Sequence, residues 1–187
     1  MLEKLKASLE ASPIIRRGEY NYFIHFISDG IPGIDPEVMN EIADYIIKNG
    51  DMNVSKIVTI EAMGIPIAMA ISMKTGIPVN IIRKREYKLP GEIILSQATG
   101  YSKGTLYING IEKGERVLFV DDVISTGGSL LPVVKAIEGA GAHVAGAFCV
   151  IGRGNGAERV EKETGVPVKV LVYLDVDENG VHVTGGV

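Results

Sequence analysis

Apolar positions along the chain recur with two alternating periods. Asp35-Pro36-Glu37 opens a segment with apolar residues at 38, 42, 45 and 46 that closes on Asn49-Gly50. Cap, first-turn proline and terminal glycine agree on a helix there. Lys56 to Ile60 is a short run of Ile and Val that predicts a strand, Gly64-Ile-Pro66 starts a helix ending near Thr75-Gly76, and Pro78 to Ile82 is again a strand. After a polar interval the same alternation returns. Arg116 to Val120 reads as a buried strand, Gly128 to Glu138 as a helix, His143 to Ile151 as a strand, Ala157 to Thr164 as a short helix and Val166 to Leu174 as a last strand. Strand and helix in turn predict an α/β fold, a central parallel sheet flanked by helices, with ligands bound beyond the carboxyl ends of its strands.

Two stretches depart from this rhythm. Residues 1–35 do not fit the alternation and read as a small separate subdomain, opened by an amphipathic helix with apolar residues at 2, 5 and 9 rather than by a secretory signal. Arg83 to Thr105 is polar, basic at its start and glycine-bearing. It holds no persistent period and reads as a long mobile loop. The 187 residues are otherwise expected to form a single domain.

Composition narrows the functional classes. Apolar residues make up 46% of the chain and charged residues 22%, and no apolar run approaches the roughly 18 residues needed to cross a bilayer, so no membrane partner is expected. The net charge of −4, with no long block of Lys or Arg, argues against a nucleic-acid partner. The single Cys149 lies in an apolar run and reads as a buried strand residue, and a cytoplasmic location is expected. His25, His143 and His182 have no neighbours at metal-ligand spacing, so no direct metal ligand is assigned.

The chemistry concentrates in Val117-Leu-Phe-Val-Asp121-Asp122-Val-Ile-Ser125-Thr126-Gly127-Gly128-Ser129. Glycines let the backbone close around an oxyanion, the N–H groups and hydroxyls of residues 125 to 129 can donate to a monophosphate, and the following helix presents its positive end. The segment lacks the Lys of a Walker-type loop, so a nucleoside triphosphate fits poorly. Two carboxylates directly before the turn stand within one sugar's reach of that phosphate. They can accept hydrogen bonds from vicinal hydroxyls or hold a hydrated Mg²⁺. Together these residues describe a ribose 5-phosphate site. The plain alternative is a strand-to-helix turn capped by Asp and Ser.

This segment resembles the signature by which type I phosphoribosyltransferases bind 5-phosphoribosyl 1-pyrophosphate (PRPP): four apolar residues, two acids, two aliphatics and a Ser/Thr-Gly turn. The resemblance implies that Asp121 and Asp122 orient the ribose, that Ser125, Thr126, Gly127, Gly128 and Ser129 hold its phosphate, and that Ile124 contacts the purine. It further implies that Ala62, Met63 and Gly64, after the first core strand, bind pyrophosphate through their backbone. In Arg83-Lys-Arg-Glu-Tyr-Lys88-Leu-Pro-Gly91 it places the pyrophosphate cations Arg83, Lys84 and Lys88, with the loop over 84–105 closing as a flexible lid. A helix start and a solvated basic loop are the bland readings of these two segments. A small N-terminal hood over residues 1–35, Mg²⁺ carried with PRPP and a homodimer also follow from the resemblance.

The base is less legible. Hypoxanthine-guanine enzymes of the usual bacterial and animal kind carry an acid within the turn where this chain has Ser125, and adenine enzymes carry a lid glutamate where it reads Gly100-Tyr101-Ser102-Lys103. From residue 12 onward the chain resembles archaeal hypoxanthine/guanine phosphoribosyltransferases, which implies purine salvage giving IMP or GMP. Adenine as the substrate, and a PRPP-sensing regulator without catalysis, are the alternatives. Gly152-Arg-Gly-Asn-Gly156-Ala157 imitates a dinucleotide fingerprint, but too few residues follow to complete that fold, and a tight turn lining the site is expected instead. Tyr20, Tyr22, Phe23 and Phe26 are expected to pack within the hood, with stacking on a purine the sharper possibility.

Overall fold

In the computed structural model, residues 2–18, 20–98 and 103–187 are described. Met1 of the expected first helix and the Gly100-Tyr101-Ser102 stretch lie outside them. The chain runs α1 (Glu3–Glu10), β1 (Ile14–Arg17), β2 (Tyr20–Phe23), α2 (Phe26–Asp29), α3 (Pro36–Asn49), β3 (Lys56–Ile60), α4 (Gly64–Thr75) and β4 (Val79–Ile82). It continues with β5 (Ile93–Ala98), β6 (Lys103–Ile108), β7 (Arg116–Ile124), α5 (Leu130–Gly139), β8 (His143–Gly152), α6 (Gly156–Thr164), β9 (Val168–Val176) and β10 (Val181–Gly186).

The main sheet has the order β10-β9-β8-β7-β3-β4 and is parallel except for β10, which runs antiparallel to β9 at one edge. Both its faces are covered, which is why its central strands read as continuous apolar runs rather than alternating ones. On β7, Leu118 and Val120 enter a core shared with α1, α3, α4 and the N-terminal segment, while Val117 and Phe119 enter a second core under α5 and α6. Asp35 caps α3 as the sequence predicts, its Oδ1 accepting from the amides of Glu37 and Val38 at 2.8 and 3.3 Å.

Residues before Asp35 join the first core through Leu5 and Leu9 of α1 and through Phe23, Phe26 and Ile27. His25 is buried at 3% exposure and caps α2, its Nδ1 accepting from the Ile27 amide at 3.2 Å while Nε2 meets the Ser8 hydroxyl at 3.1 Å. Burial pushes its imidazole down to about 4, so it stays neutral and serves packing.

Three elements differ from expectation. The interval from Arg83 to Thr105, expected to be irregular, contains the antiparallel ladder of β5 and β6, pairing Ile93 with Ile108 and Leu95 with Leu106. These four side chains pack against the core under α5, and Ser96, Gln97 and Gly104 between them mask the period of two. Strand β7 runs four residues past Val120 and carries the acidic pair inside the sheet, because Asp121 still pairs with Cys149 and Ile124 with Gly152 of β8. Strand β10 was not anticipated: two of its six residues are glycines, and it sits at an edge, where few apolar side chains are required.

Candidate active site at the carboxyl ends of the central strands

Adjacent parallel strands β4, β3 and β7 end side by side; two of the candidate segments follow β4 and β3 directly, and the third occupies the last residues of β7 and the turn after it. The sheet therefore gathers Ala62 to Gly64, Arg83 and Lys84, and Asp121 to Ser129 at the carboxyl ends of these strands. Glu61, between β3 and α4, ties the first two together. Its Oε2 accepts from Arg83 Nε at 2.8 Å, and its Oε1 accepts from the Lys84 amide. Those bonds, the backbone amide of Lys84 foremost, hold the Glu61 carboxyl below the usual carboxylate range. The Glu61–Ala62 peptide is cis. Sequence reasoning passed over Glu61; an acid placed straight after a core strand, opposite a basic pair after the next strand, is the signal that could have found it.

Gly64 opens α4 at a point of close approach. A Cβ there would overlap Thr59 Oγ1 and lie 2.6 Å from Asp121 Oδ1, so only glycine lets the helix start come this near the acidic pair. Asp121 Oδ1 also accepts from the Asp122 amide at 3.1 Å. Burial, then the neighbouring Asp122 charge, pushes the Asp121 carboxyl well above its ordinary range, with Lys84 acting weakly in the opposite sense. Burial likewise raises Asp122, to about 6, and Asp29 of α2 adds to the effect. The two acids titrate as a pair, and donors or cations that arrive at the site favour their charged forms.

Beyond the pair, Gly127 adopts a left-handed φ of 75° and turns the chain so that Ser125 and Thr126 are exposed ahead of α5. A cavity of about 230 Å³ opens among Asp121, Ile124, residues 125 to 129 and Cys149. Ile124 is only 4% exposed, closing β7 with its side chain in the core under α5.

The glycine-rich turn after β8 buttresses this cradle. Arg153 N donates to Ile124 O at 2.8 Å, Gly156 N donates to Ser125 O at 2.9 Å, and Arg159 Nη1 donates to Thr126 O at 3.3 Å. A Cβ on Gly156 would strike Ser125 O and stand 2.5 Å from Gly127 N. Of the glycines that imitate a dinucleotide fingerprint, Gly154 and Gly156 thus face the backbone of Ser125 and Gly127, and Gly152 faces the side chains of Tyr173 and Val170, which leaves no approach for a pyrophosphate at that point.

Lys88 is the candidate that the fold does not bring in. Its side chain is 77% exposed and its ammonium lies 3.9 Å from Glu86. Its amide, with that of Tyr87, is held by Glu92, which also accepts from Asn109 Nδ2 at 2.7 Å. Arg83, engaged by Glu61, stands 5.8 Å from the centre of the Tyr87 ring. Over the site, Gly30 at the end of α2 approaches the Met63 side chain, and Tyr22 donates to Asp29 at 2.9 Å.

The model of the phosphoribosyl transferase domain family matches residues 36–182, which span all three segments. The chain belongs to this family. Among curated relatives, the hypoxanthine/guanine phosphoribosyltransferase of Methanosarcina acetivorans is 61% identical over 98% of this chain and 96% of its own length. That of Methanococcus voltae is 56% identical over 97% of each. Solved phosphoribosyltransferases share the fold. The adenine phosphoribosyltransferase of Thermoanaerobacter pseudethanolicus aligns with a TM-score of 0.72 at 20% identity, covering 92% of this chain and 99% of that one. That of Trypanosoma brucei, in complex with AMP, pyrophosphate and ribose-5-phosphate, gives 0.68 at 22% identity, covering 92% of this chain and 78% of that one.

Proposed function

We propose that this phosphoribosyltransferase transfers the 5-phosphoribosyl group of PRPP to hypoxanthine or guanine, releasing pyrophosphate and forming IMP or GMP in cytoplasmic purine salvage. The observation that carries the proposal is the joining, at the carboxyl end of β7, of a phosphate-sized cradle and a paired carboxylate, in a chain 55–61% identical to enzymes of that name.

In this reading the amides and hydroxyls of Ser125, Thr126, Gly127, Gly128 and Ser129 take the 5-phosphate, and Asp121 and Asp122 accept from the ribose hydroxyls. The backbone of Ala62, Met63 and Gly64, at the start of α4, faces the pyrophosphate. Lys84 supplies the nearest cation, Arg83 reaches pyrophosphate by exchanging its bond to Glu61, and Lys88 arrives only if the lid over 84–105 closes. Ile124 and the hood over residues 1–35 bound the purine slot. Asp121 and Asp122 are the carboxylates that would meet a hydrated Mg²⁺ carried with PRPP. When bound, the ion would neutralise the departing pyrophosphate. The purine nitrogen bonds to the anomeric carbon as the bond to pyrophosphate breaks, and charge placement around an oxocarbenium-like transition state is what the residues contribute.

Initial rates with PRPP, Mg²⁺ and each of hypoxanthine, guanine, adenine, xanthine and orotate test the assignment. Pyrophosphate release with hypoxanthine or guanine is expected; no release with any base would overturn it, and adenine alone would move it to the adenine enzymes.

A homodimer is part of the same proposal. Helix α4 is apolar on its outer side as well as its inner one, with Met69 41% and Met73 82% exposed one turn apart. Replacing both by glutamate is expected to halve the mass measured by light scattering, and an unchanged mass would place any interface elsewhere.

A further inference from the structure

Among the described residues, Thr59 and His25 are the two polar side chains in the buried set, and they differ in one respect. His25 has partners for both ring nitrogens, whereas Thr59, 0% exposed one residue before the end of β3, has a hydroxyl with no hydrogen-bond partner. A buried orphan hydroxyl costs stability that a valine of the same shape would not. Its position suggests what the hydroxyl is for. Oγ1 lies against the Gly64 backbone, and a single point beside that backbone, where a Cβ would stand, is 2.6 Å from Asp121 Oδ1 and closer still to Thr59 Oγ1. The free donor therefore flanks the carboxylate that borders the phosphate cradle.

We propose that Thr59 is a positioning residue for Asp121: its hydroxyl is held in reserve in the free protein and donates to Asp121 Oδ1 when PRPP engages that carboxylate. The inference rests on the PRPP reading above. Asp121 sits in an apolar strand pair, beside another acid, with the Asp122 amide as its donor. A carboxylate asked to accept from ribose in such a place gains from a second donor behind it, one that fixes its rotamer as well as its charge. Both oxygens lie close to the one point beside Gly64, so a movement of about 1 Å in either side chain brings them within hydrogen-bond distance. The close approach of Gly64 keeps other side chains away.

Thr59→Val and Thr59→Ser test this. In Thr59→Val the apparent melting temperature of the free protein should rise, because the orphan hydroxyl is gone, while KM for PRPP rises about tenfold with kcat much less affected. Thr59→Ser should restore the parent KM for PRPP. Thermal shift with PRPP alone reads the same contact without turnover, and the shift should shrink in the valine variant. A valine variant with the parent's KM and PRPP shift would overturn the proposal. So would one that loses melting temperature, since the hydroxyl would then be structural. If the parent itself showed no PRPP shift, the ribose assignment would fall rather than the role of Thr59 within it.

Discussion

Gly156→Ala is expected to raise KM for PRPP by roughly a hundredfold while leaving a folded protein. The methyl group would be driven into Ser125 O and the Gly127 amide, backbone atoms with no rotamer by which to yield. Relief must come from moving the cradle or α6, and a displacement of about 1 Å in a positioning element costs on the order of a hundredfold in rate. Overpacking of this kind also lowers stability by about 1–3 kcal/mol. Gly139→Ala is the control, because nothing lies within 4 Å of a Cβ there. If Gly156→Ala kept the parent KM, the turn after β8 would not be the support of the phosphate cradle.

Asp122→Asn is expected to raise KM for PRPP by roughly ten- to a hundredfold through loss of charge-assisted bonds to ribose hydroxyls. It should also change the pH dependence in a defined sense. With the Asp122 carboxyl raised to about 6, the parent's kcat/KM for PRPP should fall as pH drops below that value, because the accepting form is protonated away. The free protein should behave oppositely. The folded state holds the Asp122 proton more tightly than the unfolded chain, so this group's contribution to stability is fully present at low pH and is lost as pH rises from about 4 through about 6. Asparagine should weaken both trends; a variant with the parent's acid limb would remove Asp122 from the site.

Much of this was legible in the sequence because the central strands are buried on both faces, so their apolar runs and the turn residues after them leave little ambiguity. Lys56 to Ile60 and its helix Gly64–Thr75 were readable to the residue, whereas in the motif from Val117 to Ser129 the strand was expected to stop four residues early. What escaped lies where one side chain answers to a distant one. Glu61 gains its importance from Arg83 and Lys84, residues brought to it by the parallel pairing of β3 with β4. Gly152 to Ala157 looks like a ligand loop until the backbone of Ser125 and Gly127 is seen against it. Strands β5 and β6 were hidden because exposed Ile94 between Ile93 and Leu95, and the polar residues that follow, break the period of two, and Thr59 because a lone threonine in an apolar run carries no signal of its missing partner. Lys88 shows the converse: a basic residue in a matching motif that this conformation leaves in solvent.

The most direct measurement supplies hypoxanthine and adenine together, at equal concentration, with PRPP and Mg²⁺, and determines the nucleotides formed. IMP in large excess over AMP, with one pyrophosphate released per nucleotide, is the predicted result. AMP in excess, or consumption of PRPP without either nucleotide, would contradict the account.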